Sequence, residues 1–571
     1  MSLRSGEPGP GRDQGASGTS QSRTWRAIFV GGYSGAGVLL VGAASRSTQI
    51  LAIRLSAQFG LLQLLPPAYW AGMGLIGVAM VLAFRQRSEI LIVLTGMLFL
   101  AIVAGTPSLF EPNPRYFDTY LHFSEAQAIQ STGHLPAGAL GEYSANWPGV
   151  FLLDSVLSNA VGSPPMEFLK AYPFIAGALT FLAIFVFIRS TFPRHLAPLA
   201  TVLASLFAVW AQYHLSPQSL GFVLVLLVMS VMWRRPTRWR GVSALLFVGL
   251  VTMHPTSTLI LLSILAALSI LSFFPRKAAE EVRQNARFTR RVSLLYGTMW
   301  FAWLYFRATG SSQAAETAIV TRIGSLISLP ENTVNLATSR TAENLYTLAP
   351  FLRTGTLGIY GLLALPSLAI LWRRETSRPL ARFVLAGLLG LAVIGGADIL
   401  GFKGQFYDRC LLLFSVLAPA ICLTGLGKLS LPKIGHRAIV AVLIAASLAA
   451  ASTVYYQESF NHVTDQSIAV ADFLQRAPPR SIVYDGSFPV PVWIPPEQRT
   501  PLVRVTFSEI YPTPLEKLGG TAPSYVVFDP TANLWYRQWR GVEAFQYYSD
   551  ERESHSIIYD NGMGVIVVVG G

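Results

Sequence analysis

The chain has 571 residues, of which 52% are hydrophobic and only 13% charged, with a mean hydropathy of +0.46 and a net charge of +13. Soluble domains carry about 25% charged residues, so a string of soluble domains is excluded, and runs such as LAPLATVLASLFAVWAQ and SLGFVLVLLVMSVMW approach the ~18 apolar residues of a membrane span. The two cysteines, Cys410 and Cys422, share one apolar run, which excludes a disulfide scaffold and a thiolate metal site.

Residues 1–24 are rich in Gly, Ser, Pro and Arg without an apolar period and are predicted to be a disordered cytoplasmic tail. A transmembrane domain follows over 25–455. The hydropathy rule gives about thirteen spans, at 25–44, 68–84, 88–105, 172–189, 196–212, 216–233, 241–253, 255–274, 292–309, 350–372, 379–400, 406–427 and 436–453. Between the first two, QILAIRLSAQFGLLQLL (49–65) is apolar but carries Arg54, and reads as an interfacial helix rather than a span. A long polar loop, 106–147, follows the third span, and a second, 310–346, is rich in Ser, Thr and Asn. From 456 the composition becomes that of a small α/β module. SIVYDG, SYVVFD and SIIYDNGMGVIVVV are predicted strands, the DNG between the last two apolar runs is a hairpin signal, and SIAVADFLQR has helical spacing. The expected fold class is an all-α polytopic membrane bundle with a small α/β domain at 456–571.

Basic residues collect in the short connections FRQR, RRPTRWR, PRKAAEEVRQNARFTRR, WRRETSRPLAR and KLSLPKIGHR. The positive-inside rule assigns these and the N-terminal tail to the cytoplasm, which puts the 106–147 loop and the C-terminal module outside the cell membrane. The positive charge is therefore topology, and no nucleic-acid surface is implied. The chain has no N-x-[ST] sequon, which fits a prokaryotic membrane.

Ionisable groups near a bilayer are costly and mark functional sites. On the outer face, PSLFEPNPRYFDTYLHFSEAQAIQSTGHLP holds Arg115, Asp118, His122 and Glu125, and spacings of three and four put the last three on one helix face. Later junctions add His214 and Ser216 in QYHLSPQSL, His254 in TMHPTST, and Arg307 in YGTMWFAWLYFRATG. Asp398, Lys403, Asp408 and Arg409 cluster in GGADILGFKGQFYDRC. Each has a structural alternative. His254 before Pro255 suits a helix cap, Asp408 and Arg409 a pair at a helix start, Glu125 a solvated helix face, and Arg115 an ion-pair partner for Asp118. Asp118, set among aromatics in a loop against the membrane, is the strongest candidate for chemistry. His122, His134 and Asp118 make a metal set only by loop spacing, which is weak evidence. No metal ligand is assigned and no cofactor is required, although a divalent cation is compatible.

The stretches FDTYLHFSEAQAIQSTGHLP, YHLSPQSL and MHPTST, with the C-terminal module, make the chain resemble the GT-C superfamily of integral-membrane glycosyltransferases. That superfamily includes protein O-mannosyltransferases, aminoarabinose transferases of lipid A, and oligosaccharyltransferases. The resemblance covers 25–455 in architecture. It implies a donor sugar on a polyprenyl phosphate or diphosphate, and an acidic residue in the first outer loop acting on the acceptor. By position that residue is Asp118. Many members carry an Asp-Glu or Asp-x-Asp pair, whereas Thr119 and Tyr120 follow here, so a metal requirement is not carried over.

The chemistry agrees independently. A glycosidase needs two carboxylates because its alkoxide leaving group must be protonated. A phosphate-linked sugar already has a good leaving group, so one carboxylate can serve as base on the acceptor hydroxyl. Cations over the departing phosphate complete the requirement. Arg307 and Arg409 are the first choices because a guanidinium binds phosphate bidentately, with Lys403 and His254 behind them. Arg115, His122, His214, Glu125 and Asp408 would support the acceptor side or the structure. A single displacement would invert the anomeric centre. The acceptor would be a glycan, a lipid or a protein. Two rivals stand beside this reading: an O-antigen-type polymerase or ligase, and a secondary transporter or flippase, for which Asp398 is the best residue. GxxxxGK[ST] and HExxH are absent.

Overall fold

The computed structural model describes residues 16–51, 57–135, 143–162, 165–234, 239–273, 280–309, 348–374, 378–398, 406–429, 432–456, 461–474, 482–485, 503–518, 524–528, 536, 542–561 and 565–569. Lys403, Arg54, residues 1–15 and the 310–346 loop lie outside them.

The chain divides into two compact units, residues 1–48 with 65–99, and residues 49–64 with 100–571. In the first, α1 (Ala16–Ser47) starts within the stretch expected to be tail and packs on α2 (Pro67–Arg85). Glycine permits that contact. A Cβ at Gly37 would stand 2.7 Å from the Gly72 carbonyl oxygen, and one at Gly72 the same distance from that of Gly37, which is the close backbone approach small residues allow between apolar helices. Val30, Ala79, Ala83 and Ile92 form its core.

α3 (Glu89–Phe110) leads from this unit into the second. There the 106–147 segment folds into α4 (Phe117–Thr132), which Gly133 ends at a left-handed φ of 69°, and the single turn α5 (Tyr143–Asn146). α6 (Gly149–Val161) follows directly and packs on α4 through Ala126, Ile129, Val150 and Phe151. The bundle continues with α7 (Pro165–Thr191), α8 (Ala197–Phe207), α9 (Pro217–Arg234), α10 (Arg240–Met253), α11 (Pro255–Leu271) and α12 (Glu280–Phe306). It closes with α13 (Leu348–Arg373), α14 (Arg378–Ala397), α15 (Tyr407–Leu426) and α16 (Lys433–Ala451). α15 is its most enclosed long helix, with 83% of its apolar window buried.

Eight helices are long and apolar enough to cross a membrane among the described residues: α1, α2, α3, α7, α13, α14, α15 and α16. The spans expected at 196–212, 216–233, 241–253 and 255–274 appear as apolar helices of 10–17 residues, and 292–309 falls on α12. Pro217 and Pro255 each open a new helix, which is why these apolar stretches are divided. In 49–65, the described residues form a 3-10 helix, Gly60–Leu64, not a long amphipathic helix.

The C-terminal module is a five-stranded sheet built from β1 (Ile482–Asp485), β2 (Val503–Thr506), β3 (Ser524–Phe528), β4 (Ile557–Asp560) and β5 (Val565–Val569). Its order is β2-β1-β3-β5-β4, parallel across the first three and antiparallel at β5 and β4. The β4–β5 hairpin falls where DNG placed it. α17 (Asp465–Leu474) covers one face through Val470, Ala471 and Leu474, and α18 (Val542–Glu551) the other through Phe545 and Tyr548.

Candidate active site

Asp118 stands in the first turn of α4, where free backbone N–H groups and the helix dipole favour a carboxylate. Its Oδ2 accepts from His214 Nε2 at 3.0 Å. His214 is buried in the segment between α8 and α9, whereas the Asp118 side chain is 32% exposed. The Tyr116 ring stacks on the His214 imidazole with centroids 4.2 Å apart and planes 26° from parallel. Burial alone would raise the pKa of Asp118. The charge and hydrogen bond of His214, the charge of His122 and the Thr119 backbone N–H outweigh it, and the carboxyl is held below its usual range. The buried Tyr116 phenol is pushed up to about 12 and stays neutral.

A few residues earlier lies a different pair. Arg115 closes on Glu111 with two hydrogen bonds, Nε to Oε2 at 2.9 Å and a second to Oε1, and both side chains are buried. His462 Nδ1 is 3.4 Å from the same carboxylate. Burial would raise the Glu111 pKa, but Arg115 and His462 hold it low. The ion pair between Arg115 and Asp118 is thus replaced by one between Arg115 and Glu111. Behind these groups is a small pocket lined by Arg115, Tyr116, Thr119, Tyr213, His214 and Tyr455.

The second half of the site is cationic. His254 caps α11: its Nδ1 accepts from the Ser257 N–H at 3.2 Å and lies 2.7 Å from Ser257 Oγ. With Nδ1 accepting, the proton of the neutral ring is on Nε2. Burial, reinforced by the nearby Arg409 and His122 charges, holds the ring well below its usual pKa. Gly221 on α9 makes room for it, since a Cβ there would stand 2.9 Å from His254 Cβ. Arg409, in the first turn of α15, acts electrostatically on both His254 and Tyr143. His122 faces Tyr143 and Phe151, with centroids 6.5 and 5.5 Å away, and feels Asp118, His214 and Glu125. His122 acts electrostatically on both Asp118 and His254, and Arg409 on His254.

Structural comparison places the architecture. The chain aligns with the archaeal oligosaccharyltransferase AglB from Archaeoglobus fulgidus in complex with an inhibitory peptide and a dolichol-phosphate, at a TM-score of 0.52 and 11% identity over 85% of this chain and 74% of that one. An Archaeoglobus fulgidus oligosaccharyltransferase in its apo form gives 0.51 at 12% identity, covering 83% and 73%. Its complex with Zn and sulfate gives 0.50 at 13%, covering 84% and 73%. The fold is GT-C. No protein-family model matches the sequence, and no curated protein matches it.

On this GT-C scaffold Asp118, His122, His214, His254 and Arg409 come together. Glu125 is not a solvated helix face: it is 9% exposed and accepts from Ser144 Oγ at 2.7 Å, because α5 covers it. Asp408 is exposed beside Arg409. Arg307 lies one turn beyond Trp303, whose Nε1 donates to the Asn146 carbonyl at 3.0 Å, so α12 reaches the loop near α5. No contact among the described residues ties Arg307 to Asp118 or Arg409. His134 turns Nδ1 to the Thr132 carbonyl, away from the cluster. Asp398 is buried, and its Oδ2 accepts the Phe406 and Tyr407 amides at 2.8 and 2.7 Å, which anchors the start of α15.

Arg353 escapes the sequence reading. It sits five residues inside α13, donates from Nε and a terminal nitrogen to Thr453 Oγ1 and the Thr453 carbonyl (2.8 and 2.7 Å), and acts on Tyr116 and Asp408. An arginine inside an apolar run is itself the signal. Among the described residues no three His, Cys, Asp or Glu side chains could hold a metal ion together.

Proposed function

We propose that the chain is a membrane glycosyltransferase that moves a sugar from a polyprenyl-phosphate or polyprenyl-diphosphate donor to an acceptor hydroxyl on the extracytoplasmic face, with inversion. The observation that carries this reading is the half-satisfied Asp118 carboxylate. One oxygen is held by His214, the side chain is a third exposed, and the Arg409 guanidinium and the neutral His254 ring act on the same cluster through His122. The GT-C fold supports it, and the AglB complex contains a dolichol-phosphate and a peptide. Here the acceptor class stays open among glycan, lipid and protein.

In the step, the acceptor oxygen attacks the anomeric carbon while Asp118 takes its proton. The bond from that carbon to the phosphate oxygen breaks, and the leaving phosphate carries away the electron pair. His214 keeps Asp118 ionised and aimed. Arg409 and the His254 Nε2–H face the developing phosphate charge, where preorganised donors stabilise the transition state most. Arg307 and Lys403 are further candidates for the phosphate. The Archaeoglobus fulgidus oligosaccharyltransferase crystallised with Zn and sulfate holds a metal, whereas the described residues around Asp118 do not make a metal site.

The polymerase or ligase reading shares the lipid-linked donor and differs in its glycan acceptor. Transport is disfavoured because buried Asp398 is spent on backbone amides. Cysteine labelling of intact cells tests the face. An impermeant reagent should reach position 520 and not position 280, and the reverse would overturn the assignment. Transfer from a polyprenyl-linked sugar by the purified protein, abolished in Asp118→Asn, tests the activity.

A further inference from the structure

The junction that leads into the C-terminal sheet grips the loop that carries Asp118. The Asn461 carbonyl accepts the Tyr116 amide at 2.9 Å. Asn113 Nδ2 donates to the Val463 carbonyl at 3.3 Å and to Asp465 Oδ1 at 2.7 Å. His462 reaches Glu111 with one ring nitrogen and, with Nε2, the Leu51 carbonyl at 2.8 Å. Residues 111–116 and 461–465, some 350 positions apart in sequence, are thus joined at four points.

One residue in this joint is strained. Tyr116 has a φ of 68°, a region that costs a bulky side chain ~1–3 kcal/mol and persists only where surroundings impose it. Two contacts impose it here, the Asn461 carbonyl on its amide and the stack of its ring on His214. His214 needs that stack. Its Nδ1 is buried with no hydrogen-bond partner among the described residues, so the ring plane is set by Asp118 on one side and by Tyr116 on its face.

We propose that the 461–465 junction is a clamp that positions the Asp118–His214 pair through Tyr116, so that the C-terminal module governs the chemical step rather than donor binding. This rests on Asp118 being the base. Asn113, His462 and Tyr116 are positioning residues, acting through His214. Released from the junction, Tyr116 relaxes toward an ordinary φ, its ring leaves His214, and the imidazole loses its aim at the carboxylate.

The test uses the full-length protein in lipid nanodiscs. Dicyclohexylcarbodiimide reacts with protonated carboxyls, so its labelling of Asp118, read by mass spectrometry across pH, reports how well His214 holds the carboxylate. The titratable groups facing Asp118 are His214, His122 and Tyr116. Asn113→Ala should move the labelling midpoint up by about one pH unit, the size of one lost ionic neighbour, toward that of His214→Gln. Tyr116→Gly, which removes strain and ring together, should shift the same way. Asp465→Asn, which keeps the acceptor oxygen, should stay at the wild-type midpoint. Binding of undecaprenyl phosphate, the probe for the donor side, should not change in Asn113→Ala. Wild-type midpoints in both Asn113→Ala and Tyr116→Gly, in protein that still elutes as one species, overturn the clamp. A shifted midpoint with an Asp118→Asn variant that still transfers sugar would uphold the clamp and remove the base.

Discussion

Two carboxylates, Glu111 and Asp118, stand seven residues apart on either side of one loop, the first beside Arg115 and the second beside His214, and their fates differ. Glu111 is buried with both oxygens engaged by Arg115 and a histidine alongside. Asp118 gives one oxygen to His214 and keeps a third of its side chain exposed. A buried pair repays its desolvation only with well-made hydrogen bonds, and Arg115 engages both Glu111 oxygens in a carboxylate that is fully enclosed, out of reach of a substrate. The Asp118 pair is deliberately incomplete. A carboxylate can accept about four hydrogen bonds, and the unused capacity faces outward, where an acceptor hydroxyl can reach it. Saturation separates the structural acid from the proposed base.

The sharpest way to break this contrast is to neutralise the exposed member. Asp118→Asn should lower turnover ~10²–10⁴-fold, the range of positioned general-base catalysis, while thermal unfolding and polyprenyl-phosphate binding stay near wild type. Turnover close to wild type would remove Asp118 as base. Because His214 holds its pKa below the ordinary ~3.9 of Asp, the acid limb of the rate profile should lie below that value. An acid limb centred near 6 would point to a histidine instead.

The buried member should fail differently. Arg115→Ala strands an uncompensated carboxylate and should cost ~3–5 kcal/mol of stability, read as a lower unfolding temperature with turnover per folded molecule little changed. The sign of its pH dependence follows. The folded-state pKa of Glu111 is depressed, so its stabilising contribution is present above the unfolded value of ~4.3 and is lost as pH falls through the folded one. Arg115→Ala should therefore narrow its stability gap to wild type in strong acid.

Across the cluster, Arg409→Ala removes the charge-assisted contact proposed for the donor phosphate. It should weaken donor binding or transition-state stabilisation by ~1.5–3 kcal/mol, measured by titration with undecaprenyl phosphate and by single-turnover rate. An unchanged affinity and rate would make Arg409 part of the α15 start and nothing more.

How far these roles are legible in sequence depends on whether the signal is local. The long apolar helices and the β4–β5 hairpin follow from runs and turn residues a few positions apart. Asp118 and His214 both stand out as outer-face ionisable groups, but their pairing joins residues 96 positions apart, and no periodicity records that. Glu125 misleads because helix spacing cannot tell which face α5 will cover. Arg115 misleads because three residues seem nearer than four, whereas the bends of the non-helical 111–116 segment carry it back to Glu111. Arg353 is passed over for the opposite reason: attention to helix ends misses a charge inside a span. The VRVT strand is too short to separate from its polar neighbours.

The smallest expected effect falls on His254, where an observed cap and a proposed phosphate contact are superposed. Its Nδ1 receives the Ser257 amide, so Ala at this position should lose a helix cap worth ~0.5–2 kcal/mol as well as any phosphate contact from Nε2. Asparagine divides the two. It is among the best N-cap residues and can accept the same amide, but it does not reproduce the outward Nε2–H of the ring. His254→Asn should therefore recover the unfolding temperature lost in His254→Ala and still bind undecaprenyl phosphate several-fold more weakly than wild type. If asparagine restores stability and affinity together, the histidine is a cap, and Arg409 must hold the phosphate without it.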